Sequence, residues 1–488
     1  MTPTSLYIRT DVANYTINDD VWLVAGSGDN ANLRTASYVD RQWSTPQNVF
    51  ALPGVEPDEV RVLSAGAWKF VFWRRPLYWQ AGAATGYLNG RILGPGYDSG
   101  ELMLPILDFE DAIFIGLSSD GHVRFDGDDI VEGWVPDNPR LHVDMGGDGF
   151  MRADARTWSP DGSSWLVKRL YSSERGDHVG VRYFDATAGF GEVLYPFTDT
   201  DEWLAAPGEL RLIELPNSRV MVVAHMISRF SNSRYCLLAS EWDGVAWSPS
   251  RCLHVGNTNQ FIFSYLKLAS NASGDLLVVW GDRQSLWAAT RSRHGQWSTD
   301  SVVTTVGYPG YISGHRLTLR VANNGRFYIL STVDAAGQNA TADPKLFFST
   351  SVHGGSWSPR TGINLNGQRT LAIDARVDDD SSELGVLAVM EKDGLFSVNF
   401  LITQKQATSW MSSVLQSGTY FRSTLNSGNG DLFLPDFQQL RYLGGGEWQA
   451  YWHSSNASSD APTAAGQYAW PSNTILARIR AMDYVEST

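Results

Sequence analysis

The chain has 488 residues, of which 43% are hydrophobic and 18% are charged, so it can bury a large core. The formal net charge of −14 at pH 7 argues against a general nucleic-acid binder, which needs a basic surface. No stretch reaches the roughly 18 apolar residues of a membrane-spanning helix, so we expect no membrane insertion.

The N-terminal sequence "MTPTSLYIRT" contains a candidate strand but no basic region followed by an apolar run. The sequence therefore predicts no secretory signal peptide in this numbering. We expect an extracellular protein in its mature form, or one exposed on a virus particle and released with it.

Apolar runs of four to eight residues then alternate with clusters of Gly, Asp, Asn and Ser, and helical periodicity is nearly absent. Runs such as "AWKFVFWRR", "RVMVVAHM" and "DLLVVWG" have one candidate strand before them and two after them. This pattern predicts units of four antiparallel strands that repeat about every 50 to 60 residues. The second strands of nine units are predicted to start near Val21, Trp68, His122, Trp165, Val220, Leu276, Phe327, Leu384 and Trp448.

Repeating four-stranded units are typical of the blades of a β-propeller, an all-β fold. Because propellers usually have up to eight blades, one or two of the nine units are interpreted as extensions of a neighbour. The sequence thus predicts a single propeller domain over residues 1–488 with seven or eight blades. We expect the N-terminal "SLYIRT" to complete the last blade beside "ILARIRAMDYV".

Several units end in a polar turn, a tryptophan and usually a serine, as in "TASYVDRQWSTP" with Trp43 and "ATRSRHGQWSTD" with Trp297. In "SEWDGVAW" and "TSVHGGSW" this element resembles the Asp-box of BNR-repeat and sialidase-type propellers, Ser-x-Asp-x-Gly-x-Thr-Trp, although Val352 replaces the Asp in the second copy. The resemblance implies a folding element at the edge of each blade, with its indole wedged between blades.

The two cysteines, Cys236 and Cys252, flank a turn at Asp243 and Gly244. In an antiparallel hairpin they would lie nearly opposite each other, within reach of a disulfide. Such a bond would indicate an oxidising compartment. The alternative is two reduced thiols on neighbouring strands.

The densest polar stretch, "SSDGHVRFDGDDIVEGWVPDNPRLHVD", contains His122, Arg124 and His142 among several aspartates. These residues could bind an acidic sugar or supply a general base beside a cation. The carboxylates could instead hold a structural Ca²⁺ ion, although the spacing of an EF-hand is absent. A solvated hairpin with Asp-Gly turns is the other interpretation. No motif for another metal or cofactor is present, so we expect none.

A second candidate set is His225, Tyr265 and Arg283, which lie at equivalent edges of neighbouring units. The arginine could offset the carboxylate of a uronate while the His or Tyr moves protons during β-elimination. Plain sugar binding, or a histidine that is merely hydrogen-bonded, would explain the same residues.

The segments "SYLKLAS…VVWGDR" and "IGLSSDGHVRF" resemble the propeller polysaccharide lyases that cleave acidic polysaccharides such as ulvan, over residues from roughly 105 to 283. Tyr265 matches the Tyr-Leu-Lys segment of that family. Arg283 stands where the family has a His, and Glu209 and His225 stand where it has a Tyr and an Arg. The resemblance implies a catalytic role for the matched position, Tyr265.

A glycine-rich stretch, "GYPGYISGHRL", places Tyr311, His315 and Arg316 at another unit entrance. Aromatic and Arg side chains together suit stacking on sugars, or they are incidental to a loop. The sequence therefore predicts a propeller that recognises a glycan, such as a lectin, an adhesin or a virion receptor-binding protein. The alternative is an enzyme, a polysaccharide lyase or sialidase-like hydrolase acting on an acidic polysaccharide. A protein-interaction propeller is a third hypothesis.

Overall fold

The strands and most of their turns are described in the computed structural model of the chain. The described residues are 4–9, 12–17, 20–25, 32–39, 42–45, 47–52, 60–75, 87–104, 114–126, 138–144, 155–157, 163–172, 176–185, 188–197, 203–257, 266–281, 285–305, 317–331, 346–352, 356–359, 361–363, 369–378, 383–392, 395–404, 409–419, 439–455 and 472–480. Among these residues the regular secondary structure consists of β-strands alone. None of them forms a helix that could cross a bilayer.

The chain divides into two compact units, residues 8–198 and residues 199–488 together with 1–7. The prediction of one domain stays a prediction. The strands up to residue 198 are β1 (Thr4–Arg9), β2 (Val12–Ile17), β3 (Asp20–Ala25), β4 (Asn32–Val39), β5 (Gln42–Trp43), β6 (Gln47–Ala51), β7 (Val60–Ala65), β8 (Trp68–Arg75), β9 (Tyr87–Gly94), β10 (Tyr97–Asp98), β11 (Leu102–Met103), β12 (Phe114–Leu117), β13 (Val123–Asp126), β14 (Leu141–Asp144), β15 (Ala155–Arg156), β16 (Ser164–Ser172), β17 (Gly176–Asp185) and β18 (Gly189–Leu194).

Within residues 8–198, the described strands form four sheets, β2 to β6, β7 to β11, β12 to β14 and β15 to β18. The third sheet departs from the predicted pattern, because β13 and β14 pair in parallel. In the first two sheets, the third strand also pairs with two short strands instead of one.

The strands after residue 198 are β19 (Trp203–Leu215), β20 (Arg219–Ser228), β21 (Ser231–Trp242), β22 (Arg251–Asn257), β23 (Lys267–Ser270), β24 (Leu276–Gly281), β25 (Ser285–Arg291), β26 (Ser301–Thr305), β27 (Leu317–Val321), β28 (Arg326–Ser331), β29 (Leu346–Val352), β30 (Thr361–Ile363), β31 (Arg369–Val377), β32 (Leu384–Lys392), β33 (Leu395–Gln404), β34 (Ser409–Thr419), β35 (Gln439–Gly444), β36 (Glu447–Ser455) and β37 (Ser472–Arg480). They form four antiparallel sheets of four consecutive strands, and a fifth in the order β1-β37-β36-β35. The N-terminal strand completes the last sheet, as predicted.

The first strand of each sheet packs beside the first strand of the next, from β19 through β23, β27 and β31 to β35. Four-stranded antiparallel sheets that are formed in chain order and meet along their first strands are the blades of a β-propeller. The all-β propeller fold class is thereby confirmed. All nine predicted second strands begin within one residue of their predicted positions, in nine sheets of the described residues. The number of blades stays a prediction.

The second strands form the centre of the core because both of their faces are covered. Every residue of β24, "LLVVWG", is buried, whereas the first strand β27, "LTLRV", is buried only at alternate positions. A strand covered on both faces is apolar throughout, and one covered on a single face alternates. The first strands therefore carry one polar face, on which a functional site can be built.

Serine follows the tryptophan at the ends of three blades because it closes the connection between the third and fourth strands. The amide groups of Ser248, Ser298 and Ser358 donate to the carbonyl groups of Glu241, Thr290 and Thr350 at 2.7, 2.8 and 2.8 Å. Each serine hydroxyl in return accepts the amide of the same partner at 3.0 Å. The three connections share one hydrogen-bond pattern, and identity with the Asp-box stays a prediction.

The tryptophans of these connections contact neighbouring sheets. Trp410 packs on Phe348 of the preceding sheet, with ring centroids 5.3 Å apart. Trp297 and Trp357 pack against clusters that combine residues of two successive sheets. These contacts support the predicted wedging of indoles between blades, although the side chain of Trp43 lies outside the described residues.

Cys236 on β21 and Cys252 on β22 are joined by a disulfide, with their Cα atoms 5.9 Å apart. The register pairs Leu238 with Cys252 and Cys236 with Val255, with a shift between them. The two cysteines are therefore diagonal neighbours rather than directly opposite. The oxidising compartment that such a bond would indicate stays a prediction.

Candidate functional site

Charged side chains lie on the polar face of the first strands between β19 and β31. On β19, Leu210 and Leu212 are buried, so the alternating Glu209 and Arg211 share the opposite face. The same alternation occurs in β27 and in the segment "AIDARV" of β31. We call the resulting group the inner-strand charge belt, and its members are Glu209, Arg211, Lys267, Arg320, Asp374 and Arg376.

Each basic member on β19, β23 and β27 donates a hydrogen bond to the backbone of the following sheet. Arg211 Nε donates to the carbonyl oxygen of Leu266 at 3.0 Å, and Lys267 Nζ donates to that of Leu317 at 2.6 Å. Arg320 Nε donates to the carbonyl of Ala375. The partners are 55, 50 and 55 residues apart, so the contact repeats with the blade.

The two carboxylates of the belt, Glu209 and Asp374, form ion pairs with its arginines. Asp374 Oδ1 lies 3.0 Å from Arg320 Nη2 and 2.9 Å from Arg376 Nη1, and its Oδ2 accepts the amide of Leu440 at 2.8 Å. Glu209 Oε2 lies 2.8 Å from Arg211 Nη2. Four cations against two carboxylates leave a formal charge of +2, in a chain whose net charge is −14.

Glu209 has a strongly perturbed pKa. Burial raises the pKa of its carboxyl from 4.5 to about 7, against the opposing effects of Arg211, the Leu266 amide and Lys267. The side chain lies where the pairing of β19 with β20 shifts between Ala205 and Leu210. Such bulges often re-aim side chains next to active sites.

The pKa of Lys267 is shifted in the opposite direction, to a lower value. Burial, followed by repulsion from Arg320 and Arg211, lowers the pKa of its ammonium group from 10.5 to about 8. Burial likewise raises the pKa of Asp374, although Arg320 opposes the change. A carboxyl and an amine that both titrate near neutral pH within one group of charges are a candidate acid–base pair.

Of the predicted set His225, Tyr265 and Arg283, the structure describes only the first. His225 lies on β20 with 1% of its surface exposed, and its ring centroid is 4.9 Å from that of Tyr235. Burial lowers the pKa of the imidazole to about 4, so it is neutral at pH 7. Tyr265 and Arg283 lie outside the described residues. The catalytic role of this set stays a prediction.

The predicted set His122, Arg124 and His142 comes together in the third sheet. His122 Nδ1 and His142 Nε2 lie 2.7 Å apart with the rings stacked, and Arg124 is the register partner of His142. Nearby, the guanidinium of Arg140 lies 4.5 Å from the ring centre of Trp68. This set belongs to residues 8–198, and its role in ligand binding stays a prediction.

The remaining predictions for ligands are not addressed by the described residues. Tyr311, His315 and Arg316 lie outside them. In the part of the chain that the structure describes, no group of three or more His, Cys, Asp or Glu side chains is arranged to hold a metal ion. The structural Ca²⁺ ion therefore stays a prediction.

Most of the inner-strand charge belt was missed by the sequence analysis. Each strand contributes only one or two of its members, so no dense motif appears along the chain. The usable signal was a charged residue between apolar neighbours in the first strand of several units, as in "ELRLIEL" and "LTLRV". Glu209 entered only through the resemblance to polysaccharide lyases.

No family model and no curated protein matches the sequence. Among solved structures, the chain is similar to an α-L-arabinanase of Penicillium chrysogenum complexed with arabinobiose, at 12% identity and a TM-score of 0.34, over 67% of this chain and 93% of that one. It is also similar to the polysaccharide lyase Uly1, at 10% identity and a TM-score of 0.39, over 86% and 89%.

A third similar structure is a mutant of the NanB sialidase of Streptococcus pneumoniae, at 9% identity and a TM-score of 0.34, over 99% of this chain and 93% of that one. All three are named as carbohydrate-processing enzymes. At identities and TM-scores this low, the similarities carry no argument about the activity of this chain.

Proposed function

We propose that the protein is a carbohydrate-active enzyme that binds an acidic polysaccharide at the inner-strand charge belt and cleaves it as a lyase. One observation carries the proposal: a net positive group of partly buried charges, in an acidic protein, contains a carboxyl and an amine with pKa values of about 7 and 8. Arginine pairs well with carboxylates, which favours a uronate ligand.

The proposed reaction is β-elimination next to the uronate carboxylate. Arg211 and Arg320 offset the carboxylate charge, which acidifies the neighbouring C–H bond. Glu209, as the carboxylate, takes that proton, and the electron pair forms a C=C bond as the adjacent C–O bond breaks. The protonated amine of Lys267 supplies a proton to the leaving oxygen. No water enters the products, and the new chain end is unsaturated.

The two groups suit these roles because their pKa values lie close to neutral pH. About half of Glu209 is ionised at pH 7, and most of Lys267 is protonated. A base and an acid are most effective when their pKa values lie near the working pH. Each charge also shifts the pKa of the other, so the two side chains interact.

The test is incubation of the protein with a panel of polyuronates and a neutral polysaccharide, while the ultraviolet absorbance of unsaturated ends is followed. We expect product from at least one polyuronate, and a loss of kcat of at least about a hundredfold in Glu209→Gln. The matched control is Glu192→Gln, because Glu192 is exposed on β18. Unchanged turnover in Glu209→Gln would remove Glu209 from the mechanism.

Glycan recognition without turnover is the second candidate function. The observation that favours it is that Arg211, Lys267 and Arg320 already donate to backbone carbonyls, which fixes them as a rigid binding surface. Binding of a polyuronate without any unsaturated product would favour this function over the lyase. Failure to bind any polyuronate would reject both.

A further inference from the structure

A cavity of about 340 Å³ lies between the sheet of β19 to β22 and the sheet of β23 to β26. It is formed by the second, third and fourth strands of the first sheet, by the end of β25 and by the connection that follows it, not by the first strands that carry the inner-strand charge belt. Its volume falls within the range of about 300–1,000 Å³ that is usual for small-ligand sites. The lining residues that matter here are Met221, Ala239, Glu241, Arg251, Arg291 and Trp297.

A largely buried Arg–Glu–Arg group fixes one wall of the cavity. Glu241 Oε1 lies 3.0 Å from Arg219 Nη1, and its Oε2 accepts a hydrogen bond from Arg291 Nη2. The side chains of Arg291 and Glu241 are 7% and 11% exposed. Because Arg291 comes from β25 and the other two come from β20 and β21, the group links the two sheets. The contact with Glu241 holds the guanidinium of Arg291 in place.

Arg291 keeps hydrogen-bond donors for a ligand. Its contacts within the described residues are with Glu241 and, at 3.5 Å, with the carbonyl of Ser292. A guanidinium has about five N–H donors, so several remain. A Cβ atom on Gly295 would lie 3.4 Å from Arg291 Nη2, and φ at this glycine is +83°. The glycine therefore leaves space beside the guanidinium that a side chain at this position would occupy.

The other walls combine an apolar surface with a second cation. Met221 and Ala239 are 1% and 2% exposed. The indole of Trp297 packs against the same core from the connection after β25. Arg251 is exposed on β22, and among the described residues its side chain has no hydrogen-bond or ion-pair partner. The cavity thus presents an aromatic and apolar surface beside two arginines and one carboxylate.

We propose that this cavity is a second saccharide site, which takes one sugar unit bearing a carboxylate. The sugar's C–H face packs against Trp297, and the two arginines pair with the carboxylate. Glu241 accepts hydrogen bonds from sugar hydroxyls. The ligand class follows from the charges of the cavity itself, so the site does not depend on the function proposed for the inner-strand charge belt.

The test is titration calorimetry of the protein with glucuronate and with glucose as its neutral counterpart. We expect glucuronate to bind at least about tenfold more tightly than glucose, because a charge-assisted contact is lost with the neutral sugar. Arg251→Ala should weaken glucuronate binding at least about tenfold. The matched control is Arg293→Ala, because Arg293 is exposed on the connection after β25 but does not line the cavity.

A second variant, Trp297→Phe, keeps an aromatic core contact and should weaken both sugars, because stacking does not depend on the carboxylate. Lys267→Met in the inner-strand charge belt should leave the Arg251-dependent binding unchanged, whether or not the belt binds polyuronates. Equal affinity of Arg251→Ala and wild type, equal affinity for the two sugars, or loss of glucuronate binding only in Lys267→Met would each overturn the proposal.

Discussion

Replacement of Glu209 by Gln should change how the stability of the protein depends on pH. The carboxyl is 5% exposed, and its pKa is raised from 4.5 to about 7. A raised pKa means that the folded protein holds a proton which the unfolded chain releases. The corresponding stability is fully present below pH 4.5 and is lost as the pH rises through about 7.

The size of this loss follows from the two pKa values. The difference between 4.5 and about 7, at about 1.4 kcal/mol for each pH unit, corresponds to about 3 kcal/mol. Glutamine has a similar shape but does not ionise. The free energy of unfolding of Glu209→Gln, minus that of the wild type, should therefore increase by about 3 kcal/mol between pH 4.5 and 7.

Urea unfolding of both proteins at a series of pH values over this interval measures the difference directly. Glu192→Gln provides the control, because Glu192 is exposed and its replacement should give a difference that is constant with pH. The reasoning would be refuted by a constant difference for Glu209→Gln as well. In that case the carboxyl would not hold a proton near pH 7, and it could not act as a base of matched pKa.

Three further predictions concern the fold. In Gly385→Ala, the new Cβ would lie 2.6 Å from Cζ3 of the fully buried Trp448, so we expect a loss of about 1–3 kcal/mol in urea unfolding, smaller when Trp448 is also changed to Phe. Ser298→Ala removes the hydroxyl that accepts the amide of Thr290 and should cost about 1 kcal/mol in thermal unfolding. Cys252→Ala opens a bond between residues 16 apart and should cost about 2–5 kcal/mol.

Each of these predictions has a control within the same chain. Gly191→Ala should be nearly neutral, because its Cβ would meet only a carbonyl at 3.5 Å. Thr299→Ala, at an exposed position next to the serine, should also be neutral. Reductant should destabilise the wild type but not Cys252→Ala. Equal effects in a variant and its control would contradict the corresponding prediction.

The sequence predicts the second strands of the blades well because burial on both faces makes them continuous apolar runs. β24 and β32 illustrate this, since every residue with described burial in them is buried. The parallel pairing of β14 was not predicted, because it depends on the direction in which the chain returns along the free edge of β13. Even so, the dense polar stretch that suggested a site did bring His122 and His142 into contact.

The inner-strand charge belt could not be predicted in the same way. The alternation within "LTLRV" shows that Arg320 lies on the polar face of its strand, with Thr318, but not which strand lies beside it. Only the packing of successive first strands brings Arg211, Lys267 and Arg320 onto one surface, each reaching the next sheet. The raised pKa of Glu209 depends on the same packing, because its main cause is burial.

Ligand binding at the belt should also increase the stability of the folded protein. Arg320 donates Nε to Ala375, Nη1 to the carbonyl of Leu319 and Nη2 to Asp374, and a guanidinium has about five N–H donors, so a carboxylate can bind without displacing these contacts. A bound polyuronate should therefore add to the links between sheets. At a concentration of a hundred times Kd it should stabilise the protein by about 2.7 kcal/mol, which a thermal shift would detect. A polyuronate that lowers the unfolding temperature would bind the unfolded chain more tightly than the folded one, and the belt would then not be a preformed site.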